Sequence, residues 1–202
     1  MKTVILIGAQ GKIGKAAMSG LKKHNVITAS RSGKGCDHQV DITDKRSLQA
    51  LYEKVGKFDA VVSAAGHCEY APFTSMTDEQ WDATIQGKLV GQMNVVKAGL
   101  DYINDGGSFT LISGILNIKP MPQGIADATT SGGIDTFVKC VAHELPRGIR
   151  INAVNPTVIE EAWDVYGEMM PGYQPVPGAL VGKAFERSVD SFISGQVIFV
   201  DA

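Results

Sequence analysis

Cysteine is scarce in this 202-residue chain, with three in all, at Cys36, Cys68 and Cys140. An odd, widely spaced set builds no disulfide framework and reads as reduced thiols, which points to a cytoplasmic protein. Cys36-Asp37-His38 suggests a metal, but no second ligand pair follows at useful spacing. Neither sign of charge dominates: 19 Lys and Arg stand against 21 Asp and Glu, for a formal net charge of −2. That balance argues against nucleic acid as a partner, which would ask for a basic, patchy surface. No apolar run reaches the roughly 18 residues that a bilayer span requires, so no membrane partner is expected either. Met1-Lys2-Thr3-Val4 enters a strand pattern at once, leaving no room for a secretion signal. Repeats, low-complexity tracts and linkers are also missing, and residues 1–202 are expected to form one domain with one core.

Glycine, in contrast, is plentiful, and three glycines carry information. Ile5-Leu6-Ile7 runs straight into Gly8-Ala9-Gln10-Gly11-Lys12-Ile13-Gly14. This is an apolar strand, a Gly-x-x-Gly-x-x-Gly turn, then a helix-forming run. One glycine makes the tight turn, one lets backbone approach a pyrophosphate, and one lets helix pack on strand. The free N–H groups and dipole of the helix start favour an anion there. The motif predicts a dinucleotide site involving Gly8, Gln10, Gly11, Lys12, Ile13 and Gly14. The bland alternative is a tight turn without a ligand.

Strand-like and helix-like segments alternate along the chain, the pattern of a parallel sheet with helices on both faces. Strands are expected at Thr3–Ile7, Val26–Ser30, Gln39–Asp41, Asp59–Ala65, Ser108–Ser113, Ile149–Asn155 and Gly195–Val200. Helices are expected at Lys12–Lys23, at Asp44–Val55 before Gly56, from Thr77 with Gln80 closing a capping box, and at Ile125–Glu144. Residues 156–177 hold prolines at 156, 171, 175 and 177 and little regular pattern. A stretch that long is expected to be a lid or binding loop, and Trp163, Tyr166, Met169, Met170 and Tyr173 suit a cover over an apolar ligand. A packed surface loop or a subunit contact is the other reading.

In this order and spacing the chain resembles a short-chain dehydrogenase/reductase over nearly its whole length. The resemblance rests on the glycine triplet, Asp41-Ile42, Ala64-Ala65-Gly66, Ser113, the run from Glu144 to Asn152, and Gly195-Gln196-Val197. It implies a doubly wound Rossmann domain whose seven parallel strands are ordered 3-2-1-4-5-6-7, with the ligand crevice between strands one and four. It also implies a nicotinamide cofactor. The glycine turn would hold the pyrophosphate, Asp41 the adenine amino group, Ile42 the ring, and Ala64, Ala65 and Gly66 the ribose and the path to nicotinamide. Pro156 and Val158 complete the set. The family further suggests a homodimer or homotetramer built on the last strand and the long central helices.

The cofactor type is read from the end of the second strand. An NAD site places a carboxylate about 20 residues past the glycines, whereas this chain has Ser30-Arg31-Ser32. Arg31 offers a planar fork for a phosphate and the serines add hydroxyls, with Lys12 within reach of the same phosphate. NADP(H) is therefore expected over NAD(H).

The catalytic centre departs from the pattern that the resemblance implies, a Tyr and a Lys four residues apart on the helix after the fifth strand. Asp127 and Ser131 occupy those positions, and no Tyr lies between Tyr102 and Tyr166. Lys88, in Lys88-Leu89-Val90-Gly91, stands where the family carries an active-site Asn. It is the candidate replacement cation, touching the substrate oxygen or the nicotinamide ribose, or donating a proton with a lowered pKa. A helix lysine reaching solvent is the alternative. Ser113 is the candidate that orients the substrate. Asp127 is either a carboxyl acid raised by burial or an exposed acid favouring the helix start. His67 and Asn117 lie at the same sheet end.

Two functions remain open. One is an NADP(H)-dependent oxidoreductase acting on a small-molecule substrate, a carbonyl, alcohol or activated alkene, with atypical catalytic residues. The other is a catalytically silent NADP(H)-binding protein that senses cofactor state or serves a partner. A structural subunit that binds no cofactor is a third, lesser alternative.

Overall fold

In the first strand Val4 and Leu6 point to one face and Ile5 and Ile7 to the other, and all four are buried. Strands apolar on both faces need cover on both, which is the situation of a central parallel sheet. The computed structural model, describing residues 1–202, shows this arrangement. Strands β1 (Thr3–Ile7), β2 (Asn25–Ser30), β3 (His38–Gln39), β4 (Phe58–Ser63), β5 (Ile103–Ile112), β6 (Arg150–Pro156) and β7 (Val197–Val200) form one parallel sheet. Their order is 3-2-1-4-5-6-7, as expected. β1 pairs with β2 from Thr3 opposite Asn25 and with β4 from Val4 opposite Ala60. The winding reverses between β1 and β4, which opens a crevice beyond their carboxyl ends.

Helices α1 (Lys12–Leu21) and α7 (Gly178–Asp190) cover one face, burying Ala17, Leu21, Val181 and Phe185 against Val4, Leu6 and Val62. The other face takes α2 (Lys45–Val55), α4 (Gly91–Gly99) and α5 (Ile125–Val141). There Leu48, Tyr52, Val95, Ile134 and Val138 pack on Ile5, Ile7, Phe109 and Ile151. No helix is long and apolar enough to cross a membrane.

Local signals set the helix starts. Asp44 caps α2 by accepting the Arg46 N–H at 2.9 Å. Asp44→Ala should lose about 1 kcal/mol, a fall of roughly 2–4 °C in melting temperature at this chain length, as read by thermal denaturation. Thr77 and Gln80 form the expected capping box on α3 (Asp78–Thr84).

Several elements differ from expectation. The long helix from Thr77 is interrupted by a π-helical turn at Ile85–Val90 before α4 resumes. β5 begins at Ile103, not Ser108: Ile103 pairs with Phe58 and the ladder resumes at Ser108 opposite Ala60, with residues 104–107 bulged between the two pairs and Gly106 at φ +71°. Helix α7 lies beyond the expected loop, in a stretch where only the closing strand was anticipated. Its apolar residues Val181, Ala184, Phe185 and Val189 do recur at helical spacing. Residues 156–177 contain short helical turns, including α6 (Trp163–Tyr166), and a bridge from Ile159 to Val176 draws the two ends together.

Candidate active site

The crevice starts at the glycine turn. Gly8 has φ +85°, and a Cβ there would sit 2.6 Å from the Ala64 carbonyl oxygen, so only glycine lets β1 turn this close to β4. A Cβ on Gly14 would sit 2.1 Å from the Gly8 carbonyl oxygen. This close contact presses the start of α1 onto the turn. Gly11 occupies the N-cap of α1 without a capping side chain, and the first helical turn has no acidic residue. Its free N–H groups and dipole therefore remain available to an anion.

Two adjoining cavities, of about 270 and 390 Å³, meet at Gly11, Ala64 and Gly66. The first is lined by Gly8, Gln10, Ser30, Arg31, Asp41 and Ile42, with Ala65 beside them. Gln10 does not reach into it freely, since its amide donates to the Gly35 carbonyl at 2.5 Å and steadies the loop after β2. The Ser30 hydroxyl accepts the Gly33 N–H at 3.2 Å and keeps its own proton to donate. Arg31 stands exposed on the rim. Ser32 accepts the Lys34 N–H and lines neither cavity. Asp41 Oδ1 accepts from the Thr43 N–H and hydroxyl at 2.9 and 2.7 Å, which fixes the carboxylate and leaves Oδ2 without a protein partner. Lys12 is directed elsewhere: it lines the second cavity and pairs with Asp164 at 3.1 Å, not with the group beside Arg31.

The second cavity brings Ile13, Ser113, Asp127, Pro156 and Val158 together with apolar residues of the 156–177 segment. Gln92 of α4 bonds both backbone groups of Ile112, at 2.8 and 2.9 Å, and so fixes the end of β5 where Ser113 follows. Ser113 is 4% exposed. Its hydroxyl lies 3.5 Å from the Val154 carbonyl, a contact long enough to leave it available.

At the floor lies a buried polar cluster drawn from three parts of the chain. The π-helical turn carries Lys88 inward, where its ammonium donates to Asp127 Oδ1 at 2.5 Å and Ser131 Oγ at 3.0 Å. Ser131 donates to the same Oδ1 at 2.9 Å, and the Tyr70 hydroxyl donates to Asp127 Oδ2 at 2.8 Å. Lys88 is 6% exposed and Asp127 9%. Burial alone would raise the Asp127 carboxyl, but the Lys88 charge and the bonds from Lys88, Tyr70 and Ser131 outweigh it and hold it below the usual range. Burial likewise opposes the Lys88 charge, and Asp127 reverses this, holding the ammonium above its ordinary value. Both groups are thus charged, opposite to the directions that a carboxyl acid or a depressed lysine needs. Asp127 is buried, so the expectation of an exposed acid does not describe it. Nor does Lys88 project into either cavity; it sits beneath Asp127.

Burial, and then the Asp127 charge, push the Tyr70 phenol well above its ordinary pKa. Burial pushes the neighbouring Cys68 thiol up to about 12, against the Lys88 charge. Tyr70 belongs to no sequence motif, since the resemblance implies a tyrosine only on the helix after β5. Its place in the loop beyond β4, at the ligand end of the sheet, was the available signal. His67 and Asn117 do not meet: the His67 ring is 2.6 Å from Glu69, and Asn117 donates to Asp135 at 2.7 Å.

Comparison with known proteins follows the geometry. A family model described as enoyl-(acyl carrier protein) reductase matches residues 11–170. A 3-oxoacyl-[acyl-carrier-protein] reductase of Thermotoga maritima is 28% identical over 99% of this chain and 96% of its own. A crystal structure of a Listeria innocua protein superposes with a TM-score of 0.96 at 45% identity, covering 99% of this chain and 100% of that one. A small-chain dehydrogenase solved with NADPH superposes at 0.86 and 24% identity, covering 98% and 96%. The sheet order, the glycine turn and a family match across most of the chain lead to one conclusion: it belongs to the short-chain dehydrogenase/reductase family of oxidoreductases, whose members use nicotinamide cofactors.

Proposed function

We propose that the chain is an NADP(H)-dependent oxidoreductase acting on a small carbonyl, alcohol or activated alkene. The observation that carries this reading is the pair of adjoining cavities. An anion-ready helix start stands at their junction, with Arg31 at one end and Ser113, Tyr70 and Asp127 at the other. The residues fit the cofactor: Gly8 and Gly14 let the turn close against β4 and the start of α1, which keeps the free N–H groups of that helix at the cavity junction, and Asp41 Oδ2 is uncommitted. Arg31 and the Ser30 hydroxyl suit a ribose phosphate, and β2 ends in Ser30-Arg31-Ser32 with no acid to receive a 2′-hydroxyl in its place; the acid that lines this cavity, Asp41, follows β3. Bound nicotinamide supplies or accepts the hydride. Ser113 orients the substrate oxygen, the 156–177 segment covers the apolar end and excludes water, and Lys88 acts through Asp127.

Calorimetric titration tests the cofactor assignment. NADPH should bind far more tightly than NADH, and Arg31→Ala should weaken NADPH by about 10–100-fold, as expected for a charge-assisted pair worth about 1.5–3 kcal/mol. NADH should be unaffected. Equal affinity for the two cofactors would overturn the assignment.

The second reading, a silent NADP(H)-binding protein, is favoured by the closed bonding of Lys88, Asp127 and Ser131 among themselves. Substrate-dependent NADPH oxidation lost in Ser113→Ala decides for the enzyme. Assembly is part of the same reading: β7 is an edge strand with Phe199 half exposed, suited to cover in a homodimer or homotetramer. The three unpaired cysteines suit the cytoplasm.

A further inference from the structure

We propose that Tyr70 and Asp127 form a proton-relay pair that handles the substrate hydroxyl, and that the preferred substrate is a small, uncharged secondary alcohol. This rests on the reading of the crevice as an oxidoreductase site. Both residues line the second cavity beside Ser113. Asp127 Oδ1 is fully engaged by Lys88 and Ser131, so Oδ2 is the oxygen left to work, and Tyr70 donates its only proton to it. The phenol oxygen therefore has lone pairs, and no proton, to offer a ligand. A phenol hydrogen-bonded to a carboxylate is electron-rich and suited to accept a proton.

The step balances as a paired transfer. The substrate O–H proton passes to the Tyr70 oxygen as the Tyr70 proton passes to Asp127 Oδ2. A bound NADP⁺ would take the hydride from the carbinol carbon; on the protein the substrate proton ends as a protonated Asp127, which has to lose it before the next turnover. Ketone reduction is the reverse and needs Asp127 protonated beforehand. With the carboxylate as the resting form, the site is set for alcohol oxidation. Lys88 is a positioning residue that keeps Asp127 ionised and turns Oδ2 to the phenol.

The cavity supports the substrate class. Leu116, Met121, Tyr166 and Met170 give it an apolar wall. Its only lysine, Lys12, is paired with Asp164, and Lys88 is spent on Asp127 outside the lining, so an anionic substrate would find no free cation there. The titratable groups around the pair are Lys88 from the π-helical turn, Cys68 and Glu69 from the loop after β4, and Tyr166 from α6.

The test uses the whole chain with NADP⁺ and 2-butanol, cyclohexanol and 1-phenylethanol, following NADPH formation, with NADPH affinity measured separately by calorimetry. Tyr70→Phe and Asp127→Asn should each lower kcat by about 10²–10⁴ while NADPH affinity stays within twofold. In the parent protein kcat should be level from neutral pH down through weak acid. In Lys88→Met the acid limb should move to higher pH, a displacement that a purely structural role of Asp127 would not produce. Tyr70→Phe removes one hydroxyl and leaves the Lys88–Asp127 pair intact, so it decides alone if Asp127→Asn, which leaves the Lys88 charge uncompensated, folds poorly. Failure to bind NADPH would sink the proposed function itself. NADPH binding without oxidation of any of the three alcohols, or kcat unchanged in Tyr70→Phe, would overturn the relay alone.

Discussion

Replacing Lys88 with methionine should remove about 3–5 kcal/mol of stability at neutral pH, a melting temperature lower by roughly 6–20 °C. The cause is what stays behind. Asp127 would remain buried on α5 with Tyr70 and Ser131 as its only partners, and an uncompensated buried charge costs more than the pair ever contributed. The pH dependence separates this mechanism from lost packing. In the native protein the folded carboxyl lies below its ordinary 3.8, so its contribution is complete above that pH and is lost as pH falls through the folded value. The folded ammonium lies above 10.5, so its contribution is complete below that pH and is lost as pH rises through the folded value. Between these limits the pair adds no pH dependence.

In Lys88→Met, burial dominates and the Asp127 pKa rises above its unfolded value. The variant should therefore gain stability as pH is lowered from 7 toward 5, where the parent does not. Adding Asp127→Leu should restore most of the loss, because an apolar replacement leaves no charge to neutralise. Urea denaturation at the two pH values measures both effects. A loss no larger than that of a surface pair, about 1 kcal/mol, would show that the cluster is solvated.

Gly14→Ala should be nearly as damaging, and against the usual trend. Alanine inside a helix normally stabilises by roughly 0.5–1 kcal/mol relative to glycine. Here the new Cβ would lie 2.1 Å from the Gly8 carbonyl oxygen and 2.8 Å from the Ala9 Cα. Both are backbone atoms, so no side chain can swing away; the turn must open or α1 must lift from the sheet. Overpacking of this kind costs about 1–3 kcal/mol, occasionally more. The movement also displaces the N–H groups at the start of α1, so NADPH affinity should fall at least about tenfold, or 1.4 kcal/mol. Thermal denaturation and calorimetry read the two effects separately. Full affinity in a destabilised variant would mean that the turn does not hold the phosphates.

The parts of this molecule that could be read in advance are those fixed by local geometry. Apolar strands, the capping box at Thr77 and the glycine spacing each report on neighbours a few residues apart, and in the family resemblance they led to the observed sheet order; Asp44, expected inside its helix, is instead the cap before it. Helix α7 carried a legible helical period that was passed over. The early start of β5 was not legible, because Asn104-Asp105-Gly106-Gly107 has the composition of a turn and forms a bulge between the paired Ile103 and Ser108, tied by Asn104 to Asp59 and by Asp105 to Arg147. The π-helical turn had only a weak signal, Gly87 within it and Gly91 just after it, and interior glycines do not by themselves specify a π turn.

The sequence by itself determined the alternation of strands and helices and the place of the glycine turn, since these follow from periodicity and glycine spacing, and the family resemblance added the sheet order. Only the tertiary structure decided the charge state and company of the polar cluster at the floor of the second cavity. Tyr70, Lys88 and Asp127 lie on a loop, an irregular helical turn and a helix far apart in the chain. Their chemistry is set by burial and by contacts at 2.5 and 2.8 Å. A carboxylate alone in an apolar pocket becomes an acid, whereas the same carboxylate held by an ammonium stays a base. That choice depends on where Lys88 points, and the sheet and its packing, not the local sequence, aim it.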